Sequence, residues 1–146
     1  MDLTYASKTS VPIDRSQAEI KKILSKYGAT SFAFAEGQGN AMLMFEILNR
    51  RIVFKLPLPP PPSKNATQAS VKTYEQICRS RWRSLVLSIK AKLECVASNI
   101  STLEQEFMAH IVLPDGRTVG QFMTPQIESA YKSGKMPPML GMGTGA

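Results

Sequence analysis

Residues 57–62 read Pro-Leu-Pro-Pro-Pro-Pro, and no regular element passes through them. Proline has no amide proton to donate, and its ring fixes φ, so it breaks a helix interior and leaves a sheet ladder unpaired. The run predicts a stiff polyproline II stretch, continued by a polar linker over residues 63–69. It splits the chain into halves of different hydrophobic period.

Ahead of the prolines the pattern is first helical, then alternating. Ile20, Ile23, Leu24 and Tyr27 share one helical face, with Lys21, Lys22 and Lys26 outside. Ser16 with Glu19 reads as a capping box, and Gly28 stands in the usual position after a helix end. From residue 31 the period drops to two. Phe32 and Phe34 alternate with small residues. A Gly-Gln-Gly-Asn turn follows, then the apolar run 41–48, then Arg51, Ile52, Val53, Phe54, Lys55 and Leu56. This predicts a three-stranded antiparallel meander with a tight turn at Asn49-Arg50.

Beyond the prolines the period is helical again. Tyr74, Ile77, Cys78, Trp82, Leu85, Ile89, Leu93 and Val96 trace one stripe and predict a helix over residues 70–96. Ser101 with Glu104 reads as a second capping box, opening a short helix with Leu103, Phe107 and Met108 inward. Pro114-Asp115-Gly116 is a turn. Thr124-Pro125 reads as the start of a last helix with Ile127, Ala130 and Tyr131 inside. Met42, Met44, Met108 and Met123 read as core filler.

The expected fold is α+β: an N-terminal helix, the meander, then a long helix and two or three short C-terminal helices packed on the sheet. At 146 residues the chain can bury a core without staples. Residues 14–135 form one domain with the 57–69 linker inside it. Residues 1–13 are a loose arm, and residues 136–146 a flexible Met-, Pro- and Gly-rich tail.

Little in the chain suits catalysis. His110 is the only histidine, which excludes a two-histidine metal site in a monomer. Gly37 and Gly39 lack the Lys-Ser/Thr of a phosphate loop and fit a turn. Glu104, Glu106, Asp115 and Glu128 are dispersed. Cys78 and Cys95 suit neither a metal knuckle nor a disulfide framework. The expectation is a non-enzymatic binding protein with no catalytic residue, metal or cofactor. Residues 1–10 do not read as a signal peptide, and no apolar run is long enough to span a membrane, so a cytoplasmic protein is expected.

Charge points to the partner. The formal net charge is +7, with 18 Lys and Arg against 11 Asp and Glu. Within residues 50–92 ten basic residues face one acid, Glu75, a local net of +9. Such asymmetry favours a polyanion. Arg79 and Arg83 share a helix face, and guanidinium grips phosphate bidentately. The predicted nucleic-acid-binding residues are Arg50, Arg51, Lys55, Arg79, Arg81, Arg83 and Lys90, with Phe32 and Phe34 as stacking rings. Single-stranded DNA is favoured over duplex, because no helix-turn-helix or ribbon signature appears. The alternative is a protein-interaction module, an inhibitor of a host factor or an assembly adaptor, contacting its partner through the proline linker or the tail. A homo-oligomer is compatible with either.

Residues 110–120 (His-Ile-Val-Leu-Pro-Asp-Gly-Arg-Thr-Val-Gly) are followed by Met123, Pro125, Gln126, Ile127, Ala130, Tyr131, Gly134, Met136 and Pro137. With Arg81-Trp82-Arg83, residues 90–94, Arg15, Glu19, Tyr27-Gly28-Ala29, Phe54, Leu56 and Pro57, they resemble a family of small uncharacterised bacteriophage and prophage proteins. The resemblance carries over no catalytic residue. It implies work inside an infected bacterium, in DNA replication, recombination or interference with host defence.

Overall fold

The structure is a computed structural model, and it describes residues 6–37 and 39–136. Element order is α1 (Ile13–Lys26), β1 (Ser31–Gly37), β2 (Asn40–Ile47), β3 (Arg50–Pro57), α2 (Gln68–Ala97), α3 (Leu103–Phe107), a 3-10 turn (Met108–His110) and α4 (Val119–Ser133). The fold is α+β as expected, with a three-stranded antiparallel sheet in the order β1-β2-β3.

Alternation decides which sheet face is covered. Paired residues of an antiparallel ladder share a face. Phe32↔Phe45↔Ile52 and Phe34↔Leu43↔Phe54 form rows toward α1 and α2. Leu43, Phe45 and Ile52 are each about 1 % exposed or less. Ala33↔Met44↔Val53 and Ala35↔Met42↔Lys55 form the rows of the other face, which is open over β1 and β2 but buried at Val53. Met44 is 38 % exposed there, so it does not fill the core, and neither does Met108. Ile20, Leu24, Trp82, Val86, Ile89 and Leu93 bring the two helices onto the covered face.

The turn between β2 and β3 falls one residue earlier than the sequence suggested. Leu48 (φ 49°) and Asn49 (φ 60°) are both left-handed, the hallmark of a type I′ hairpin turn. Ile47 pairs with Arg50, which keeps Phe45 opposite Ile52. Moving the register by one residue would turn the apolar set of β3 toward water. That constraint outweighs the strain of a left-handed leucine.

Helix starts also differ from the expected caps. α1 begins at Ile13, because Ile13 packs against the core and extends the helix by a turn. Ser16 is therefore buried inside it, and Glu19 is free to reach α2. The second capping box uses Thr102 and Gln105, one residue later, which turns Leu103 and Phe107 inward. α4 starts at Val119 on a Thr118–Gln121 capping box, with Pro125 inside the helix. Gly120 sits against the 3-10 turn, where a Cβ would meet the Ala109 carbonyl at 2.9 Å.

α4 buries no residue. Ile127 is 51 % and Tyr131 88 % exposed, so neither faces the core as expected. The described part of the N-terminal arm is fastened. Gln76 Nε2 donates to the carbonyls of Ser7 (3.1 Å) and Thr9 (2.8 Å), and Ala6 is buried. At the proline run, the Leu58 amide donates to the Gly39 carbonyl, and Thr67 caps α2. The tail expected over residues 136–146 lies outside the described residues except for Met136.

Candidate nucleic-acid interface

The expected site residues fall into two groups, and the sheet separates them. Arg51 and Lys55 project from the open face, while α2 packs on the covered one. Arg51 pairs with its cross-strand neighbour Glu46 at 3.2 Å. Arg50 stands at the end of β3 on the other side and pairs with Glu104 at 3.6 Å. Both guanidiniums are thus partly neutralised, and Lys55 alone of the three makes no ion pair among the described residues.

The α2 residues point three ways. Arg81 Nη1 donates to the Pro57 carbonyl, tying the helix to the end of β3. Arg83 forms a half-buried ion pair with Glu19 of α1. Arg79 Nη2 donates to Gln76 Oε1 at 2.7 Å. Lys90 is exposed. Phe32 and Phe34 lie on the covered face, half-buried and 5.9 Å apart edge to face. Phe34 packs edge-on against Trp82 at 5.7 Å, and Lys21 Nζ sits 5.7 Å from the Phe32 centroid. Among the described strand residues, none on the open face is aromatic.

A cationic surface missed by the sequence reading appears where α1 meets α2. The two helices run parallel, fastened by three side-chain links: Gln76 to the arm, Arg83 to Glu19, and Tyr27 Oη to Glu94 Oε2 at 2.7 Å. The Glu94 bond also holds the Tyr27 hydroxyl above the usual tyrosine pKa range. On α2, Lys72, Arg79, Arg83 and Lys90 follow one another at steps of 7, 4 and 7, which is one helical face. On α1, Arg15, Lys22 and Lys26 repeat the steps of 7 and 4, and all three are exposed. This shared spacing was the available signal. The basic residues of α1 went unused because they lie outside the 50–92 concentration.

Charge by layer is uneven. α1 and α2 together hold ten basic and four acidic residues, a net of +6. The segment from β1 to β3 holds three basic and two acidic residues, a net of +1. The helical layer therefore carries most of the molecule's surplus.

Other chemistry is sparse. His110 stacks on Phe54 with ring centroids 3.9 Å apart. Burial lowers its pKa, a hydrogen bond to the Val53 backbone opposes that, and Lys92 adds to the lowering. A cavity of about 570 Å³ lies between the arm and α2, lined by Lys8, Glu36, Tyr74, Glu75, Cys78 and Arg79 among others. It mixes both charge signs and pairs no nucleophile with a base. Among the described residues no three His, Cys, Asp or Glu side chains group to hold a metal, and no helix is long and apolar enough to cross a membrane. Neither known protein families, nor curated proteins, nor solved structures give a match to this chain.

Proposed function

We propose that this protein binds nucleic acid through phosphate contacts on the exposed α1–α2 face, in the phage replication or recombination setting that its sequence resemblance implies. The observation that carries the reading is the concentration of net +6 in one helical layer, with Arg15, Lys22, Lys26, Lys72 and Lys90 exposed on it. Exposed cations release condensed counterions from a phosphate backbone, and that release drives sequence-independent binding. Support for base stacking is weaker, because Phe32 and Phe34 pack against Trp82 and Lys21. Arg51 and Lys55, on the far side of the sheet, form at most a second and smaller contact.

Lys22 and Lys90 are the cleanest probes. Arg79 and Arg83 hold the fold together as well, so their loss would confound binding with stability. A labelled oligonucleotide should be retained at 50 mM salt, and about six phosphate contacts should cost roughly a thousandfold in affinity by 200 mM. The K22E/K90E double variant should lose binding, while R51E/K55E should keep most of it. If no oligonucleotide is retained at 50 mM salt, the reading falls. A protein partner for the exposed Ile127 and Tyr131 of α4 then takes its place.

A further inference from the structure

The two edges of the sheet end differently. Beyond β3, an isolated bridge joins Ile52 to Ile111, and the Val112 amide donates to the Arg51 carbonyl at 2.9 Å. Beyond β1, among the described residues, no backbone hydrogen bond reaches the outer side of Ser31–Gly37. An open edge is a template for another strand, and proteins blunt such edges with lysine, proline or a bulge. β1 has none of these. It reads Ser-Phe-Ala-Phe-Ala-Glu-Gly, its one charge is Glu36, and its register with β2 runs unbroken.

This edge is complementary to itself. A two-fold axis through Phe34, perpendicular to the sheet, sets two copies of β1 antiparallel and pairs all 7 residues of the strand. Phe34 then stands opposite Phe34 of the partner subunit, and Ala33 opposite the partner's Ala35. Phe32 and Phe34 are only half-buried in one copy, and an aromatic pair across strands is a favourable contact. Charge fits the same axis. Lys21 of α1 holds its Nζ 5.7 Å from the Phe32 centroid. In this register Phe32 lies opposite the partner's Glu36, and paired residues share a face. The partner's carboxylate is thus brought beside Lys21, and symmetry makes the contact twice. Within one chain neither Lys21 nor Glu36 forms an ion pair among the described residues. A parallel pairing sets Glu36 beside Glu36 and leaves both Lys21 side chains without an acid. A shift of two residues also loses the Lys21 contact and shortens the ladder.

We infer that a second copy of this chain docks on the β1 edge, in an antiparallel β1–β1 junction centred on Phe34 with a Lys21–Glu36 contact between subunits on each side of the axis. The two sheets become one, and the axis keeps both covered faces on the same side, so the α1–α2 layers of the two subunits lie side by side. The inference stands apart from the nucleic-acid reading and survives its failure. A junction of one strand pair is small beside a standard interface, so the association is weak.

Sedimentation velocity on the full chain, from about 1 to 200 μM, covers a micromolar association. The mass should approach twice the 16.1 kDa of one chain at the upper end. Lys21 and Glu36 are exposed, so reversing either charge should leave the fold intact by circular dichroism. Lys21→Glu and Glu36→Lys should each raise the dissociation constant about tenfold, because symmetry turns two attractive contacts into two repulsive ones. The double variant K21E/E36K restores opposite charges across the junction and should return to within about threefold of the parent protein. In a Cys95→Ser background, Ala33→Cys with Ala35→Cys puts thiols directly opposite each other and should yield a covalent dimer under mild oxidation. Ala35→Cys alone leaves them on the diagonal and should cross-link far less. A monomer throughout the concentration range overturns the inference. So does a dimer that neither charge reversal weakens, since it forms through another surface. Further weakening in the double variant, or equal cross-linking by the single cysteine, overturns the register and the inference with it.

Discussion

The hairpin and the long helix each carry a basic segment of similar density, yet they end in opposite electrostatic states. On the hairpin, β-sheet register places Arg51 across from Glu46, and the strand end places Arg50 beside Glu104. Pairing is built into the ladder. On α2 the same residue type splits by angle around the helix. Arg81 turns away to the Pro57 carbonyl, and Arg83 reaches Glu19 from the same face on which Lys72 and Lys90 stay exposed. α1 then adds Arg15, Lys22 and Lys26 to the same surface. Charge along a chain becomes charge on a face only where the secondary structure repeats at the spacing of the charged residues.

The two sheet faces offer the largest test of this picture. Phe45 is 1 % exposed, stacks on Phe54 and meets Phe107 edge to face on the covered side. Phe45→Ala should destabilise the fold by about 3–5 kcal/mol in urea titration. Its sequence neighbour Met44 points to the open face, and Met44→Ala should cost within about 0.5 kcal/mol. A Met44 loss of several kcal/mol would mean that this face is covered in solution, and the contrast between the two sides would break.

Ion pairs on the two segments provide the next contrast. Arg83 and Glu19 are 22 % and 31 % exposed, whereas Arg51 and Glu46 are 59 % and 44 % exposed. Exposed pairs are screened and contribute about 0.2–1 kcal/mol. Removing a half-buried partner also strands the remaining charge, so Arg83→Ala should cost about 1–3 kcal/mol. Arg51→Ala should be the milder of the two by thermal melting. Equal losses would show that the helical arginine is no more structural than the hairpin one.

Much of this was legible in the residues. The alternation of Phe32, Phe34, Leu43, Phe45, Ile52, Phe54 and Leu56 set the meander and its covered face. The stripe from Cys78 to Leu93 set α2. The caps were harder, because Ser101–Glu104 and Thr102–Gln105 satisfy the same local rule. Burial of Leu103 and Phe107 selects the second pair, and that choice is tertiary. α4 misled for the opposite reason. Its apolar spacing is real, but among the described residues Ile127 and Tyr131 stay exposed. For the site, the cations could be counted but their partners could not. Glu19 and Arg83 are 64 positions apart, and nothing local predicts that they meet. The basic residues of α1 lie outside the dense run of residues 50–92, and only their helical spacing marks them.

The smallest expected effect separates the two regions by pH. The chain's only histidine lies on the sheet side, stacked on Phe54, and its pKa is depressed mainly by burial. A depressed value means that the folded state binds the proton less well than the unfolded chain does. The stabilisation is therefore full above the unfolded value of about 6.5, and it is lost as pH falls through that value toward the folded one. The melting temperature should decline between pH 7 and pH 5, and His110→Phe should flatten that decline. The cations of the α1–α2 face are Lys and Arg, and the chain's only histidine lies elsewhere. Affinity for DNA should then stay level from pH 5.5 to 8 as long as the chain remains folded. If affinity instead tracks the melting temperature through this range, then His110 and the sheet contribute to the contact, and the helical layer does not act alone.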